Sequence, residues 1–231
     1  MKKTTLLLSF FLFSSSIYAQ QKSISQQAVD SLLHEAYLND QQVRKLTLDI
    51  IARGNQSQFT AALTDSLVLL NDKTEQIDNE NIQLVDSILD KGWPKGLQAQ
   101  SYKAIFLIID HAELIHQKKH VKLLELGVQE KCIKPDELAT LKDRINVREE
   151  KPQLYGTQST WGTSKTGERV IYIYPVENPG KLNELRKQVG LDSIEQYIKS
   201  LKSTTGMKVI YDPLLTIDEL TKNNGITITT E

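Results

Sequence analysis

Five consecutive apolar residues, Ile105 to Ile109, place the strongest constraint on the fold. They lie within the segment SYKAIFLIIDHAELIHQKKHVKLLELG, whose apolar spacing is typical of a helix. A helix with an unbroken apolar run of this length has no solvated face there, so other elements must cover it. We therefore predict one central helix over residues 101–127, with a buried first half and an amphipathic second half.

Two long periodic segments precede this helix, and one shorter segment follows it. Residues 28–54 and residues 59–92 each predict one long helix or two, with possible joints near Asp40 and Asp78. Gly92, before Trp93 and a proline, ends the second segment. Pro135 begins a further helix, PDELATLKDRINV, because proline is well suited to the first helical turn.

The pattern changes from helical to strand-like after Val147. YGTQSTW and ERVIYIY predict a β-hairpin across the turn-rich GTSKTGE. NPGKLNELRKQVGL and DSIEQYIKSLKS predict short helices, and the tail from Met207 predicts strand, short helix, strand. We predict an α+β fold: a mostly helical N-terminal part packed against a small antiparallel β-sheet with short helices. The predicted units are an N-terminal helical segment (20–75), a core domain (76–203) and a C-terminal extension (204–231).

The first 21 residues, MKKTTLLLSFFLFSSSIYAQQ, have the charged start, short apolar run and small-residue end of a signal peptide. We expect residues 1–19 to be cleaved near Ala19 and Gln20, giving an exported protein, periplasmic or secreted, without a membrane span in its mature chain. The alternative is a cytosolic chain with a buried apolar first helix. Cys132 is the only cysteine, so an intramolecular disulfide is excluded. The formal net charge of −1 does not suggest a nucleic-acid partner.

The histidines offer one metal-binding pattern and one acid–base candidate. Glu113, His116 and His120 fall on one side of a helical wheel, a weak candidate for a metal site. The segment HQKKH lacks the glutamate of the metalloprotease motif HExxH, so the alternative is a solvated helix face, and we predict no metal or cofactor. His111 instead lies on a largely apolar surface of the central helix. Such a histidine is either a hydrogen-bonded core residue or an acid–base group.

The Pro135 helix carries an acidic and a basic candidate side by side. Leu138, Leu141 and Ile145 define its apolar face. On the wheel, Asp143 points away from that face, which predicts a solvated carboxylate, whereas Arg144 flanks it and can reach inward.

The segment QLYGTQ, residues 153–158, joins the helical half to the predicted hairpin. Together with GWP at 92–94, DH at 110–111 and DR at 143–144, in this order, it makes the chain resemble a bacterial family called domain of unknown function 6624, from about Asp78 to about Tyr197. The resemblance implies which positions recur, and it implies no activity. The chain departs from the family at Asp110, where the family often has glutamine.

Three hypotheses follow for these residues. The first is an envelope binding protein that takes an unknown polar small molecule or envelope component in a pocket near QLYGTQ, with ligand contacts from Trp93, Gln153, Tyr155, Thr157 and Gln158. The second is a hydrolase-like enzyme with His111 as general base, Asp143 as its orienting group and Arg144 or Tyr155 stabilising negative charge. The third is a polar network that only locks the helices to the hairpin.

Overall fold

The computed structural model describes residues 25–57, 60–164 and 166–223. The predicted signal peptide at 1–19, its cleavage site and the last predicted strand, at 225–231, lie outside these ranges. Within the described ranges, no helix is both long enough and apolar enough to cross a membrane.

Five helices form the first part of the molecule. They are α1 (Gln26–Ser57), α2 (Ala61–Leu89), α3 (Ala99–His111), α4 (Leu114–Gln129) and α5 (Pro135–Arg148). The first two are each continuous, so neither joint, near Asp40 or near Asp78, is present. The boundary predicted between residues 75 and 76 falls inside α2.

The α3 helix is central, as its apolar run predicts. It packs against α1, α2 and α4, and Ala104, Ile105 and Ile109 have no exposed surface. The prediction of one helix over residues 101–127 was wrong, because α3 ends at His111 and the extended Ala112 and Glu113 precede α4.

Side-chain donors stabilise this break between α3 and α4. The Gln117 amide donates to the carbonyl of Asp110 at 2.8 Å, and Arg148 donates to the carbonyl of Ala112 at 2.6 Å. Carbonyls at a helix end have no partner within the helix, so these two side chains satisfy groups that a continuous helix would have paired internally. The apolar spacing of the segment does not predict these two hydrogen bonds, because one donor is a polar residue of the segment itself and the other belongs to α5.

The second part is a small sheet with short helices. Its elements are β1 (Ser159–Thr163), β2 (Arg169–Ile173), a 3₁₀ turn (Pro179–Lys181), α6 (Leu182–Gln188), α7 (Ile194–Thr205), β3 (Val209–Ile210) and α8 (Ile217–Asn223). β1 pairs antiparallel with β2, as predicted, whereas β3 pairs parallel with β2. The sheet is therefore mixed, because the chain returns to it through α6 and α7 rather than through a hairpin. The mostly helical α+β class is confirmed.

Candidate functional site

The QLYGTQ segment wraps around the carboxylate of Asp143. Asp143 Oδ1 accepts hydrogen bonds from the backbone N–H groups of Leu154 at 2.7 Å and Tyr155 at 3.0 Å. Asp143 Oδ2 accepts from the backbone N–H and the hydroxyl of Thr157, at 3.0 and 2.9 Å. Gly156 has a φ of +65°, which glycine adopts without strain and which lets consecutive peptides turn towards one carboxylate.

Arg186 of α6 holds the opposite side of the same turn. Its Nη1 donates to the carbonyl of Tyr155 at 2.6 Å and its Nε to the carbonyl of Asp192 at 2.6 Å. The Tyr197 hydroxyl donates to the carbonyl of Thr157 at 2.9 Å. The N–H groups of the turn thus face a buried anion, and its carbonyls face a buried cation.

Gln153 fixes the start of the turn to the end of β2. Its side-chain amide donates to the carbonyls of Gln158 at 3.0 Å and Tyr174 at 2.9 Å, and its Oε1 accepts from the Gln158 N–H at 2.6 Å. The Gln158 amide in turn lies 3.2 Å from the hydroxyl of Thr157. Gln153 has no exposed surface, so its polar atoms face other groups of the protein rather than solvent.

The predicted solvation of Asp143 was wrong. The residue has no exposed surface, because the QLYGTQ turn covers the side of α5 that a helical wheel assigns to water. Burial raises the pKa of the Asp143 carboxyl above its ordinary value of 3.8, and the backbone donors of Thr157, Tyr155 and Leu154 oppose that rise. The pairing of His111 with Asp143, which the hydrolase hypothesis needs, is not formed.

Arg144 and Trp93 lie apart from this turn and from each other. Arg144 reaches inward, as predicted, and its Nε donates to the buried Asp110 at 2.9 Å. Trp93 stacks on Tyr102 with ring centroids 5.5 Å apart, and lines a separate cavity of about 410 Å³ beside the start of α1. The structure therefore does not bring the five predicted ligand-binding residues into one pocket.

Of the three weak metal candidates, His116 and His120 both approach the carboxylate of Asp86. His120 is hydrogen-bonded through Nε2 to Asp86 of α2, and His116 Nδ1 lies 3.2 Å from the same carboxylate, outside hydrogen-bond geometry. The Lys119 ammonium lies 3.2 Å from Asp86 as well, and its positive charge opposes a metal ion there. Across the described ranges, no group of three or more His, Cys, Asp or Glu residues is placed to hold a metal.

His111 pairs instead with Asp40 of α1. Its Nδ1 lies 2.9 Å from Asp40 Oδ1, and the Asp40 side chain is 1 % exposed whereas that of His111 is 21 % exposed. A buried carboxylate behind a partly open imidazole is the arrangement that fixes a histidine for proton transfer. Within the described ranges, this pair is therefore a candidate acid–base pair.

Two further charges extend the pair. Arg44 Nε lies 3.0 Å from Asp40 Oδ1, and Arg44 Nη2 lies 2.6 Å from Asp78 of α2. Burial opposes ionisation of Asp40, yet the hydrogen bond from His111 and the charges of His111 and Arg44 lower its pKa below 3.8. Burial raises the pKa of Asp78, against the opposing effect of Arg44. Asp40 is therefore the ionised partner of the histidine at neutral pH.

His111 opens into a cleft of about 350 Å³ between α2 and the break that separates α3 from α4. Most residues of its lining are polar in type: Asn71, Thr74, Glu75, Asp78, Asn79, Ile82, His111, Ala112, Glu113 and His116. Its size lies within the range of small-molecule sites. Because α3 ends at His111, the break between the helices exposes the imidazole here.

Reasoning from sequence found His111 but missed Asp40. The two residues are 71 positions apart and lie on different helices, so no local spacing connects them. The sequence pattern marked Asp40 only as a possible joint between two helices. The signal that could have found it is its position on α1, where it follows the apolar stripe of Leu33, Ala36 and Val43 into the core.

Comparison with known proteins gives one match. A family model described as "Family of unknown function (DUF6624)" matches residues 39–210, a range that begins one residue before Asp40 and includes His111. No curated protein and no solved structure gives a significant match to the chain.

Proposed function

The chain belongs to DUF6624, a family of unknown function, and we propose that the cleft beside His111 is an acid–base site. In this site His111 accepts a proton from a bound polar ligand or from water. The observation that carries the proposal is the 2.9 Å contact between His111 Nδ1 and the buried Asp40. Asp40 replaces Asp143 as the orienting carboxylate of the hydrolase hypothesis.

The hydrogen bond to Asp40 determines which nitrogen of His111 can act. An ionised carboxylate only accepts hydrogen bonds, so Nδ1 carries the proton and Nε2 keeps its free electron pair. Asp40 then stabilises the imidazolium that forms when Nε2 takes up a second proton. A positioned histidine of this kind contributes roughly 10² to 10⁴ to a reaction rate.

Among the described residues that line the cleft, Thr74 carries the only side-chain hydroxyl that could give a proton to His111. The hydroxyl of Thr74 donates to the carbonyl of Leu70 at 2.7 Å, so its proton is already engaged. The group that gives its proton to His111 therefore belongs to water or to the ligand itself. Hydrolysis by an activated water is the reaction class that this arrangement favours.

The tautomer of His111 provides a test that needs no substrate. Nitrogen NMR of imidazole-labelled protein should show the Nδ1–H form at His111 in the parent and a mixture of tautomers in Asp40→Asn. His34, an exposed residue of α1, provides the reference signal in both proteins. A dominant Nε2–H form at His111 in the parent would overturn the acid–base assignment.

Activity provides the second test. The parent, His111→Gln and Asp40→Asn are compared on a panel of chromogenic esters, amides and glycosides, with His34→Gln as the matched control. We expect any turnover by the parent to fall about 100-fold or more in His111→Gln and to persist in His34→Gln. Turnover that survives His111→Gln unchanged would refute the role of this residue.

A second candidate function is ligand binding without a reaction, at the same cleft. The amides of Asn71 and Asn79 and the carboxylates of Glu75 and Asp78 suit directional recognition of a polar ligand, and no nucleophile is needed for that role. We assign a structural role to the QLYGTQ turn, whose polar groups bond to Asp143, Arg186 and each other. In this role the turn connects the helices to the sheet.

Export belongs to the proposal as well. Its support is the sequence of residues 1–19, with its charged start, short apolar run and small residues before Gln20. An N-terminal sequence that begins at Gln20 in protein from the periplasm or medium supports it, and an intact Met1 on cytosolic protein would contradict it.

A further inference from the structure

A second cavity, of about 670 Å³, lies between α1 and α2. Its walls are Arg44, Thr47 and Leu48 of α1 with Leu67, Val68, Asn71 and Thr74 of α2. Asn71 and Thr74 line both cavities, so the two cavities are neighbours along α2, and we treat them together as one groove. We call the part beside His111 the polar arm and the part beside Leu67 the apolar arm.

The apolar arm presents aliphatic side chains to solvent. Leu48 is 65 % exposed and Val68 is 56 % exposed. Exposed aliphatic surface that adjoins a polar site is typical of a ligand groove. The α2 residues that line the groove run from Leu67 to Ile82, fifteen positions further on, so the groove is about 22 Å long at 1.5 Å per residue. That length suits a molecule with an aliphatic chain at one end and a polar head at the other.

The charges of the polar arm select the kind of head. Among the described residues, its lining carries the carboxylates of Glu75, Asp78 and Glu113, two histidines, and neither lysine nor arginine. Arg44, on the apolar arm, pairs with Asp78 at 2.6 Å and with Asp40, behind His111, at 3.0 Å. The remaining carboxylates attract a cation, and they repel a phosphate or carboxylate head.

We propose that the groove binds a cationic amphiphile, whose aliphatic chain lies in the apolar arm and whose amine-bearing head lies in the polar arm beside His111. This inference rests on the proposed function, since it names the ligand class of the same site. It also explains why an apolar surface stays exposed next to a charged cleft.

Calorimetric titration of the full-length chain at pH 7.5 tests the ligand class with three probes. Octylamine carries both parts, propylamine carries the head with a short chain, and octanoate carries the chain with the opposite charge. We expect octylamine to bind at least about tenfold more tightly than either of the other two, because each buried methylene and the favourable charge both contribute. Equal affinity for octylamine and octanoate, or absence of octylamine binding, would overturn the inference.

Matched variants locate the bound probe. Val68→Ser and Leu48→Ser should each weaken octylamine binding several-fold, whereas Leu69→Ser should not, because Leu69 is 70 % exposed on the same helix but outside the groove. Glu75→Gln should weaken binding of the amine, and Asp72→Asn, outside the polar arm, serves as its control. Binding elsewhere on the chain would be the same in all these variants and would refute the assignment.

The results separate this inference from the proposed function. The tautomer of His111 is measured in the ligand-free protein and is independent of every amphiphile. If the Nδ1–H form is present but octylamine does not bind, the amphiphile fails and the acid–base site stands. If octylamine binds as expected and His111 has the other tautomer, the ligand class stands and the acid–base role fails.

Discussion

Asp143 is a fully buried carboxylate whose partners are almost all backbone groups. Leu154, Tyr155 and Thr157 each donate a backbone N–H to it, and Thr157 adds its hydroxyl. A carboxylate can accept from several donors at once, whereas an amide of the same shape presents a donor where an acceptor is needed. The identity of residue 143, rather than its size, therefore holds the QLYGTQ turn closed.

We predict that Asp143→Asn lowers the free energy of unfolding by about 2 to 3 kcal/mol, because buried donors lose a charged acceptor. Urea unfolding at pH 7 measures the change. Asp136→Asn, a partly exposed carboxylate in the first turn of the same helix, should cost less than about 1 kcal/mol. A loss in Asp143→Asn no larger than that of the control would show that the turn closes without the carboxylate.

The lowered pKa of Asp40 predicts a pH dependence of stability. Its pKa in the folded protein lies below the ordinary 3.8, so the unfolded chain takes up the proton first as the pH falls. The stabilisation by Asp40 is thus complete above about pH 5 and is lost as the pH falls through 3.8 and below. Urea unfolding of the parent and Asp40→Asn should therefore give a stability difference at pH 6 that shrinks towards pH 3. A difference that stays constant over this range would contradict the assignment of an ionised Asp40.

Single residues were predictable from the sequence as far as their own helix determines them. The apolar neighbours of His111 marked it as unusual, and the position of Arg144 beside an apolar face predicted that it reaches inward. Asp143 was assigned to solvent because a helical wheel cannot include a turn that folds back over the helix. Asp40 was missed because its partner lies on another helix, 71 residues away.

At the scale of elements, the apolar run Ile105–Ile109 predicted the central helix, and the break after His111 was not predictable. The break depends on Gln117 and Arg148, which donate to carbonyls that a continuous helix would pair internally. It also opens the cleft at His111. The element boundary that matters most for the candidate site thus depends on tertiary contacts, which periodicity does not contain.

The packing of α4 against the GWP segment gives a prediction at this scale. A Cβ at Gly127 would lie 2.6 Å from Trp93 Cζ2 and 2.8 Å from Ile133 Cγ1. We predict that Gly127→Ala lowers the free energy of unfolding by about 1 to 3 kcal/mol through overpacking, although alanine favours a helix. Thermal unfolding of both variants measures the change: in Gly180→Ala the atom nearest to the new Cβ would be 3.7 Å away, so that control should be nearly neutral. A stabilised Gly127→Ala would mean that Trp93 moves freely.

At the scale of the whole molecule, the two halves have separate apolar cores. One contains α3 and the helices around it, and the other contains Val170, Tyr172, Tyr174 and Leu220 with Val147 from the end of α5. The QLYGTQ turn lies between them, since Asp143 belongs to α5 and Arg186 to α6. The sequence shows which residues form this turn, but it does not show that Asp143 and Arg186 bind the turn, because they belong to helices before and after it.

The two buried charges, Asp143 and Arg186, should be energetically coupled through the turn. Asp143 holds the N–H groups of the turn, and Arg186 holds the carbonyls of Tyr155 and Gly156. Once either side chain is removed, the turn becomes less ordered, and the other side chain then contributes less to the free energy of unfolding. Asp143→Asn combined with Arg186→Gln should therefore destabilise the protein less than the sum of the single changes, by about 0.5 to 3 kcal/mol. The measurement is a double-mutant cycle by urea unfolding, with Asp143→Asn and Lys199→Gln, on the exposed side of α7, as the uncoupled control cycle. If both cycles are additive, each charge stabilises its own half independently. The turn then does not couple the stability of the helical part to that of the sheet.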